Sequence, residues 1–449
     1  MIYTGQLTYK EINFTFAFDG TELRLIPPQE KRDKIENEWM RTSIEKGMYI
    51  LNIPILEERY LFGMCNETGQ KIIFLTKKGS HIGGRSSSLT VEVIAYIMYK
   101  YDRPSIDRIS FFNPEINAIH PVNQSFSVSH DADLKAFNQN GIISVTTKDF
   151  ASTTTESQSF GVDNRDVTSY FTVSRRTSFE AGEAPLSLNS SLIFEFEATD
   201  DYEFILRLWR IAKDFLTYLC YRRDVYLPTV KLSAPCNGGK HEEFATLHIV
   251  GESKSPSVED IKAERYIKQA IIAGHEGEIL ADIASGELYL RHIPESYISG
   301  RSKDAAKFVM ITAAFEWEFR RNYPAGVEKH EATKKAEDEV ESTLQELLSR
   351  KECCGRVKKI YKFLNGLVRS NSLQSKIVQV GKDYSEIINL FGDYLYSLNN
   401  EKLIYCEMGE RINIQRNNFA HGNLNKDFIG LWFGRIICVS IILQKTAIA

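Results

Sequence analysis

Three polar side chains stand out within Arg411-Ile412-Asn413-Ile414-Gln415-Arg416-Asn417-Asn418-Phe419-Ala420-His421-Gly422-Asn423: Arg416, Asn417 and His421. Ile412, Phe419 and the preceding Ile404 can face a core and leave those three heads to other work. They offer the groups that metal-free cleavage of a ribose phosphodiester needs. One group must help to deprotonate the 2′-hydroxyl, and another must protonate the leaving 5′-oxygen. A cation must also stabilise the charge that builds on the phosphoryl oxygens. Histidine titrates near neutrality and suits either proton transfer. Arginine stays charged and forks onto phosphate oxygens.

Helix geometry constrains how these groups meet. Asn417 and His421 are four apart and share a helix face. Arg416 and His421 are five apart, about 140° around an ideal helix. They converge if the long Arg416 side chain wraps back, if the helix ends near Gly422, or if two such motifs face each other in a symmetric dimer. Gly422 is a suitable helix C-cap that would leave His421 in the last turn. The plainer alternative makes Arg416 and His421 helix-end cations that favour the C-terminal dipole, with Asn417 on the surface.

Other segments carry weaker signals. Between 351 and 370 there are six Lys or Arg against Glu352 alone, a net charge of +5. Lys351, Arg356, Lys358, Lys359 and Lys362 are therefore candidate RNA-backbone contacts, with Tyr361 and Phe363 available to stack on bases. The alternative is a solvated helix face with Tyr361 and Phe363 in the core. Glu316 is a candidate partner for Arg416 if their helices pack, or a simple interhelix salt bridge. The acidic Glu337-Asp338-Glu339 with Glu341 reads as an exposed helix side. Ser80 to Ser88, with Gly83, Gly84 and Arg85, resembles an anion-binding turn but lacks the Gly-Lys-Ser/Thr of a Walker motif and reads as a surface loop. Cys236 to His241 reads as a turn, and His241 with His248 has no ligand spacing. No cluster near Arg416 has metal-ligand spacing, so no metal or cofactor is expected.

The elements that must position these residues fall into two halves. Ile12 to Phe18 alternates apolar and polar, Asp19-Gly20 follows, and Glu22 to Leu25 resumes the alternation, which predicts a hairpin. Further strands are expected at 71–75, 142–146, 169–173, 192–196 and 246–250. Two helices are expected among them, at Leu89–Lys100 and Asp201–Tyr221. After the polar break at 251–256 the pattern becomes helical: 262–273, 305–322, 332–350, 356–369, 384–398, 403–420 and 427–445. The expected fold class is α+β with two domains. A β-rich half, 1–255, built as a sheet or sandwich with packed helices, precedes an all-α region, 256–449.

A chain of 449 residues exceeds one ordinary core. The formal charge of −4 selects no partner class, because a near-neutral total can hide opposed patches. Seven cysteines without a C-x-x-C pair read as reduced thiols and a cytoplasmic protein. Met1 to Gln6 has no signal-peptide pattern. The longest apolar run, Phe428 to Leu443, contains Arg435 and falls short of the roughly 20 residues a membrane span needs, so it reads as a buried helix.

Arg416-Asn417-x-x-x-His421 resembles the R-x(4–6)-H motif of HEPN domains, including the polar residue after Arg and the Gly after His. Its setting, late in a helical bundle and before one more apolar helix, is similar to that family over about 300–449. The β-rich half ahead of the bundle resembles the layout of ApeA-like anti-phage defence proteins. The resemblance implies a HEPN-like core at about 301–449 and cleavage of RNA to a 2′,3′-cyclic phosphate and a 5′-hydroxyl. It implies that His421 is the acid or base, Arg416 the phosphate-neutralising cation and Asn417 the group that orients one of them. It further implies a homodimer or higher homo-oligomer and an abortive-infection role. The first half would then bind a phage-derived trigger and regulate the nuclease. Some HEPN domains lack nuclease activity, so a non-catalytic RNA- or partner-binding protein, or a sensor or scaffold, is the rival expectation.

Overall fold

The computed structural model describes residues 2–423 except 34, 36–41, 46–47, 52–55, 78–87, 132–141, 183, 237–239, 253–265, 302–303, 351–353 and 398–399. The Ser80–Ser87 turn, Lys351 and the apolar helix expected at 427–445 lie outside the described residues. The chain divides into two compact units, Met1–Glu287 and Leu288–Ala449. No helix among the described residues is long and apolar enough to cross a membrane.

The first unit is built on antiparallel strands. Its first part is β1 (Tyr3–Tyr9), β2 (Ile12–Phe18), β3 (Glu22–Ile26), β4 (Thr42–Glu45), β5 (Met48–Leu51), β6 (Tyr60–Cys65), β7 (Lys71–Thr76) and β8 (Leu89–Tyr99). Then follow β9 (Ile106–Phe111), β10 (Phe126–Asp131), β11 (Ile142–Thr147), β12 (Gln158–Val162), β13 (Arg165–Thr177), β14 (Leu186–Thr199), β15 (Thr229–Cys236) and β16 (Lys240–Ile249). The sheet order is β12-β13-β14-β9-β15-β16-β8-β3-β2-β1-β6-β7, and β7 pairs back onto β8. Six strands therefore close into a barrel, and six others extend from β8 as an open sheet. Alternation explains the barrel interior: Phe14, Phe16 and Phe18 of β2 point inward with Leu23, Leu25, Leu61 and Phe74. Gly5 makes room for Phe16, since a Cβ there would lie 2.6 Å from its ring.

The expected hairpin is present, with Phe18 opposite Leu23. Leu89–Lys100, expected as a helix, is instead strand β8. Its apolar residues Leu89, Val91, Val93, Ala95, Ile97 and Tyr99 recur with period two and are all buried. Ile94, Tyr96 and Met98 on the other face are half-buried. These residues fill the gaps between the buried ones, so the near-continuous apolar run hides the period of two in the sequence. β8 needs both faces covered because it joins barrel and sheet: it pairs with β3, β7 and β16.

Short helix α1 (Pro114–Ile119) precedes α2 (Tyr202–Cys220), which lies where the sequence predicts it. Asp201 caps its first turn by accepting from the Glu203 and Phe204 amides, and Tyr221 ends it in the left-handed region. The expected helix at 262–273 reduces, over its described residues, to one 3-10 turn at Gln269–Ile271. Helix α3 (Glu276–Ala284) seats so closely on β12 that a Cβ at Gly277 would meet the Ser159 carbonyl at 2.9 Å. This packing carries the first unit to Glu287, beyond the polar break at 251–256.

The second unit contains α4 (Tyr297–Arg301), α5 (Ala305–Asn322), α6 (Glu331–Ser349), α7 (Gly355–Val368), α8 (Leu373–Asp383), α9 (Ser385–Ser397) and α10 (Tyr405–Ala420). Helix α8 was not expected; it begins at a Ser372 cap that accepts from the Ser375 amide. The core joins Phe308, Ile311, Phe315 and Phe319 of α5 to Leu373, Ile377 and Val380 of α8 and Met408, Ile412 and Phe419 of α10.

The β2–β3 turn yields a first prediction. Asp19 Oδ1 accepts from the amides of Glu22 (2.8 Å) and Thr21 (2.9 Å) and from the Thr21 hydroxyl (2.9 Å). Those donors, the Glu22 amide first, hold its carboxyl at about 2. Asp19→Ala should destabilise the first unit by about 1 kcal/mol at pH 7. A depressed folded pKa stabilises above the unfolded value, so the gap between variant and wild type should shrink as pH falls from about 4 toward 2. Denaturant titrations at pH 7 and pH 2.5 measure both.

Candidate functional site

The site is set by how α10 is buried. Met408, Ile412, Gln415 and Phe419 recur at four, three and four and form its buried face. Phe419 meets Phe308 of α5 edge-on, with centroids 5.5 Å apart. On the α8 side the helices touch nearly backbone to backbone, because a Cβ at Gly409 would lie 3.0 Å from the Gln374 Cα and carbonyl oxygen. Ile404, expected to face a core, is 45% exposed ahead of the first turn, because α10 starts only at Tyr405.

With that face fixed, Arg416, Asn417 and His421 lie on the remaining surface near the helix end. The end is a Schellman motif: the Asn423 amide donates to the Asn418 carbonyl (2.8 Å) and the Gly422 amide to the Phe419 carbonyl (3.1 Å). Gly422 supplies the positive φ of 78° that this turn requires. His421 is thereby the C-cap and is exposed.

Arg416 does not wrap back to His421. Its Nη1 donates to Asn417 Oδ1 (3.1 Å), and its Nη2 lies 3.7 Å from Glu316 Oε2 of α5. Glu316 also meets Lys376 of α8 at 3.3 Å and Arg320 at 3.9 Å. One carboxylate is thus shared by three cations from three helices, and positive charge is in surplus. The Arg416 side chain keeps 38% of its surface exposed, enough to reach an anion from solvent. Lys376, only 12% exposed, also lies over the Phe319 ring. Glu316 therefore plays both roles anticipated for it, interhelix ion pair and Arg416 partner. Lys376 and Arg320 were not anticipated as members; Lys376 could not be, because α8 was not expected.

Arg416, Asn417 and Glu316 are therefore brought together. The His421 side chain makes no hydrogen bond or ion pair among the described residues.

Arg356, Lys358, Lys359 and Lys362 all lie on α7, which packs on α6. Neither aromatic of that helix is in the core: Phe363 is 66% exposed and Tyr361 half-buried. A groove of about 590 Å³ elsewhere in this unit is lined by Lys329, His330, Ser372, Gln379 and Lys382 among others, and includes none of the motif residues. In the first unit His241 lies 3.0 Å from Asp107 and 3.4 Å from Glu195. Tyr170 donates to Glu195 at 2.7 Å, and burial first, then this bond, pushes its hydroxyl up to about 12. Comparison with protein families, curated proteins and solved structures returned no match.

Because the α8–α10 contact is so close, Gly409→Val should force the helices apart and destabilise the second unit by about 1–3 kcal/mol. Thermal unfolding of the full chain measures this. An unchanged transition would mean that α10 is not held by this contact.

Proposed function

We propose that the helical unit is a HEPN-type, metal-independent endoribonuclease, with Arg416, Asn417 and His421 as its catalytic residues. The observation that carries this reading is the cation surplus around Glu316 beside an exposed helix-end histidine. Glu316 and Asn417 aim the Arg416 guanidinium, and Lys376 adds charge behind it. Arg416 would seat the phosphodiester, and His421, of the same chain or of a second copy facing it, would serve the ribose. The 2′-oxygen then attacks phosphorus while His421 takes the 2′-proton, or the 5′-oxygen leaves while His421 supplies a proton. The P–O5′ bond breaks, and the products are a 2′,3′-cyclic phosphate and a 5′-hydroxyl. Arg416 stabilises the charge on the non-bridging oxygens throughout. A second copy of the chain would supply the complementary proton-transfer group. In this reading the enzyme acts in the cytoplasm in anti-phage defence, restrained by a first unit that senses a phage-derived trigger.

One observation favours a second reading. Arg416 already has Glu316 as a counter-ion, and His421 is unengaged among the described residues, which suits a non-catalytic surface that binds RNA or a partner.

Purified wild-type and variant proteins separate the two. His421→Ala should lower RNA cleavage by about 10²- to 10⁴-fold with an unchanged melting curve, since the side chain is exposed at the helix end. Arg416→Lys should keep RNA binding but cut cleavage about a hundredfold, because Lys lacks the planar fork. Equal cleavage by wild type and His421→Ala would sink the assignment.

A chelator provides an independent check. Cleavage should proceed at the same rate with EDTA, because no metal-ligand spacing surrounds the motif in sequence. Activity lost to EDTA and restored by magnesium would replace this mechanism with a metal-assisted one.

A further inference from the structure

Helices α6 and α7 form an antiparallel hairpin, fixed by ion pairs of Arg369 with Asp338 (2.7 Å) and Glu341 (2.6 Å). It contributes no residue to the core of the second unit. Yet α7 carries an apolar stripe at helical spacing whose members are exposed: Ile360 (56%), Phe363 (66%), Leu364 (41%) and Leu367 (47%). Such a stripe on a surface helix marks an interface.

At about 100° per residue, the half-buried Val357, Tyr361, Asn365 and Val368 form the side of α7 toward α6, and the exposed stripe lies roughly a quarter turn away. On α6 the buried or half-buried Glu337, Glu341, Leu344 and Leu348 form the inner side. Ala336, Val340 and Leu347 lie roughly a quarter turn away, and Val340 is 49% exposed. Both displacements run in the same sense along antiparallel helices. The two stripes therefore open on one side of the hairpin as a single apolar face.

The charges say what covers it. Helix α6 has six acidic and two basic residues, net −4, whereas α7 has four basic and no acidic residues, net +4. Among the described residues, Arg356, Lys358, Lys359, Lys362 and Glu339 form no ion pair. Two copies of the hairpin can stack face to face about a two-fold axis in two ways. An axis across the helices lays α6 on α6 and α7 on α7, acid on acid and base on base. An axis along the helices lays each α7 on the α6 of the other copy and keeps all neighbours antiparallel. Only the second is electrostatically complementary, and it forms a four-helix bundle. Arg369 is level with Asp338 and Glu341, and this axis preserves axial level, so the rim brings Arg356 and Lys359 of one copy toward Glu346 of the other.

We propose that the α6–α7 hairpin is a self-association surface that pairs two copies of this chain as a four-helix bundle, with α7 of each packed on α6 of the other. This does not rest on the ribonuclease reading. Three of the four members of the stripe are aliphatic, with Phe363 the one aromatic, and this favours a protein occupant over RNA, whose recognition rests on stacking aromatics and phosphate contacts.

Sedimentation of the full chain across a range of concentrations tests the proposal. The wild type should associate, and Phe363→Asp with Leu367→Asp should raise the dissociation constant on the order of a hundredfold and halve the mass at working concentration. Both side chains are exposed, so circular dichroism should be unchanged. In a second arm, Arg356→Glu with Lys359→Glu should weaken association, and adding Glu346→Lys should restore it in part. A wild type that is monomeric at every concentration overturns the proposal, since the face would then be covered from within the chain or by another partner. So does a mass that none of these substitutions changes. Loss of RNA retention at unchanged mass would assign the face to nucleic acid instead.

Discussion

Burial of one side of α10 against α5 and α8 is the constraint on which the candidate site depends. Each large apolar side chain removed from water there contributes about 1.5–3 kcal/mol, far more than any exposed ion pair on the opposite side. Met408, Ile412 and Phe419 therefore fix the rotation of the helix. Gly409 sets how closely it approaches α8. The orientation of Arg416 toward Glu316 follows from those apolar and steric terms. The ion pair refines a geometry that it did not create.

The polar cluster around Glu316 shows how a partly desolvated carboxylate organises a basic site. Alone it would cancel one arginine. Shared among Arg416, Lys376 and Arg320, it tethers all three while leaving net positive charge. That combination suits a group that must be both positioned and free to meet an anion. His421 is held differently, by the Schellman turn through its backbone, so its ring is placed at the helix end without being tied to a described neighbour.

The first unit follows another logic. Its central element, β8, serves the barrel and the open sheet at once, so both its faces are apolar. The α6–α7 hairpin shows the converse arrangement: charge is segregated between its two helices, and among the described residues its apolar face is left uncovered.

The sequence by itself determined what local chemistry decides. Strict alternation around Asp19-Gly20 specified the hairpin, and helical periodicity specified the helices now seen at Tyr202–Cys220 and Ala305–Asn322, which the structure shows to be capped by Asp201 and Asp304. The Gly after His421 marked the end of α10, because only a residue tolerant of positive φ closes that turn cheaply. Tertiary structure decided the rest. Leu89–Tyr99 became a strand because its neighbours cover both faces, a fact that no local period records. Glu316, Lys376 and Arg416 are distant in sequence and meet only once three helices share a core. The choice for Arg416 between reaching His421 and pairing with Glu316 was likewise open in the sequence. It was decided by which face of α10 the apolar residues bury, a property of the whole bundle.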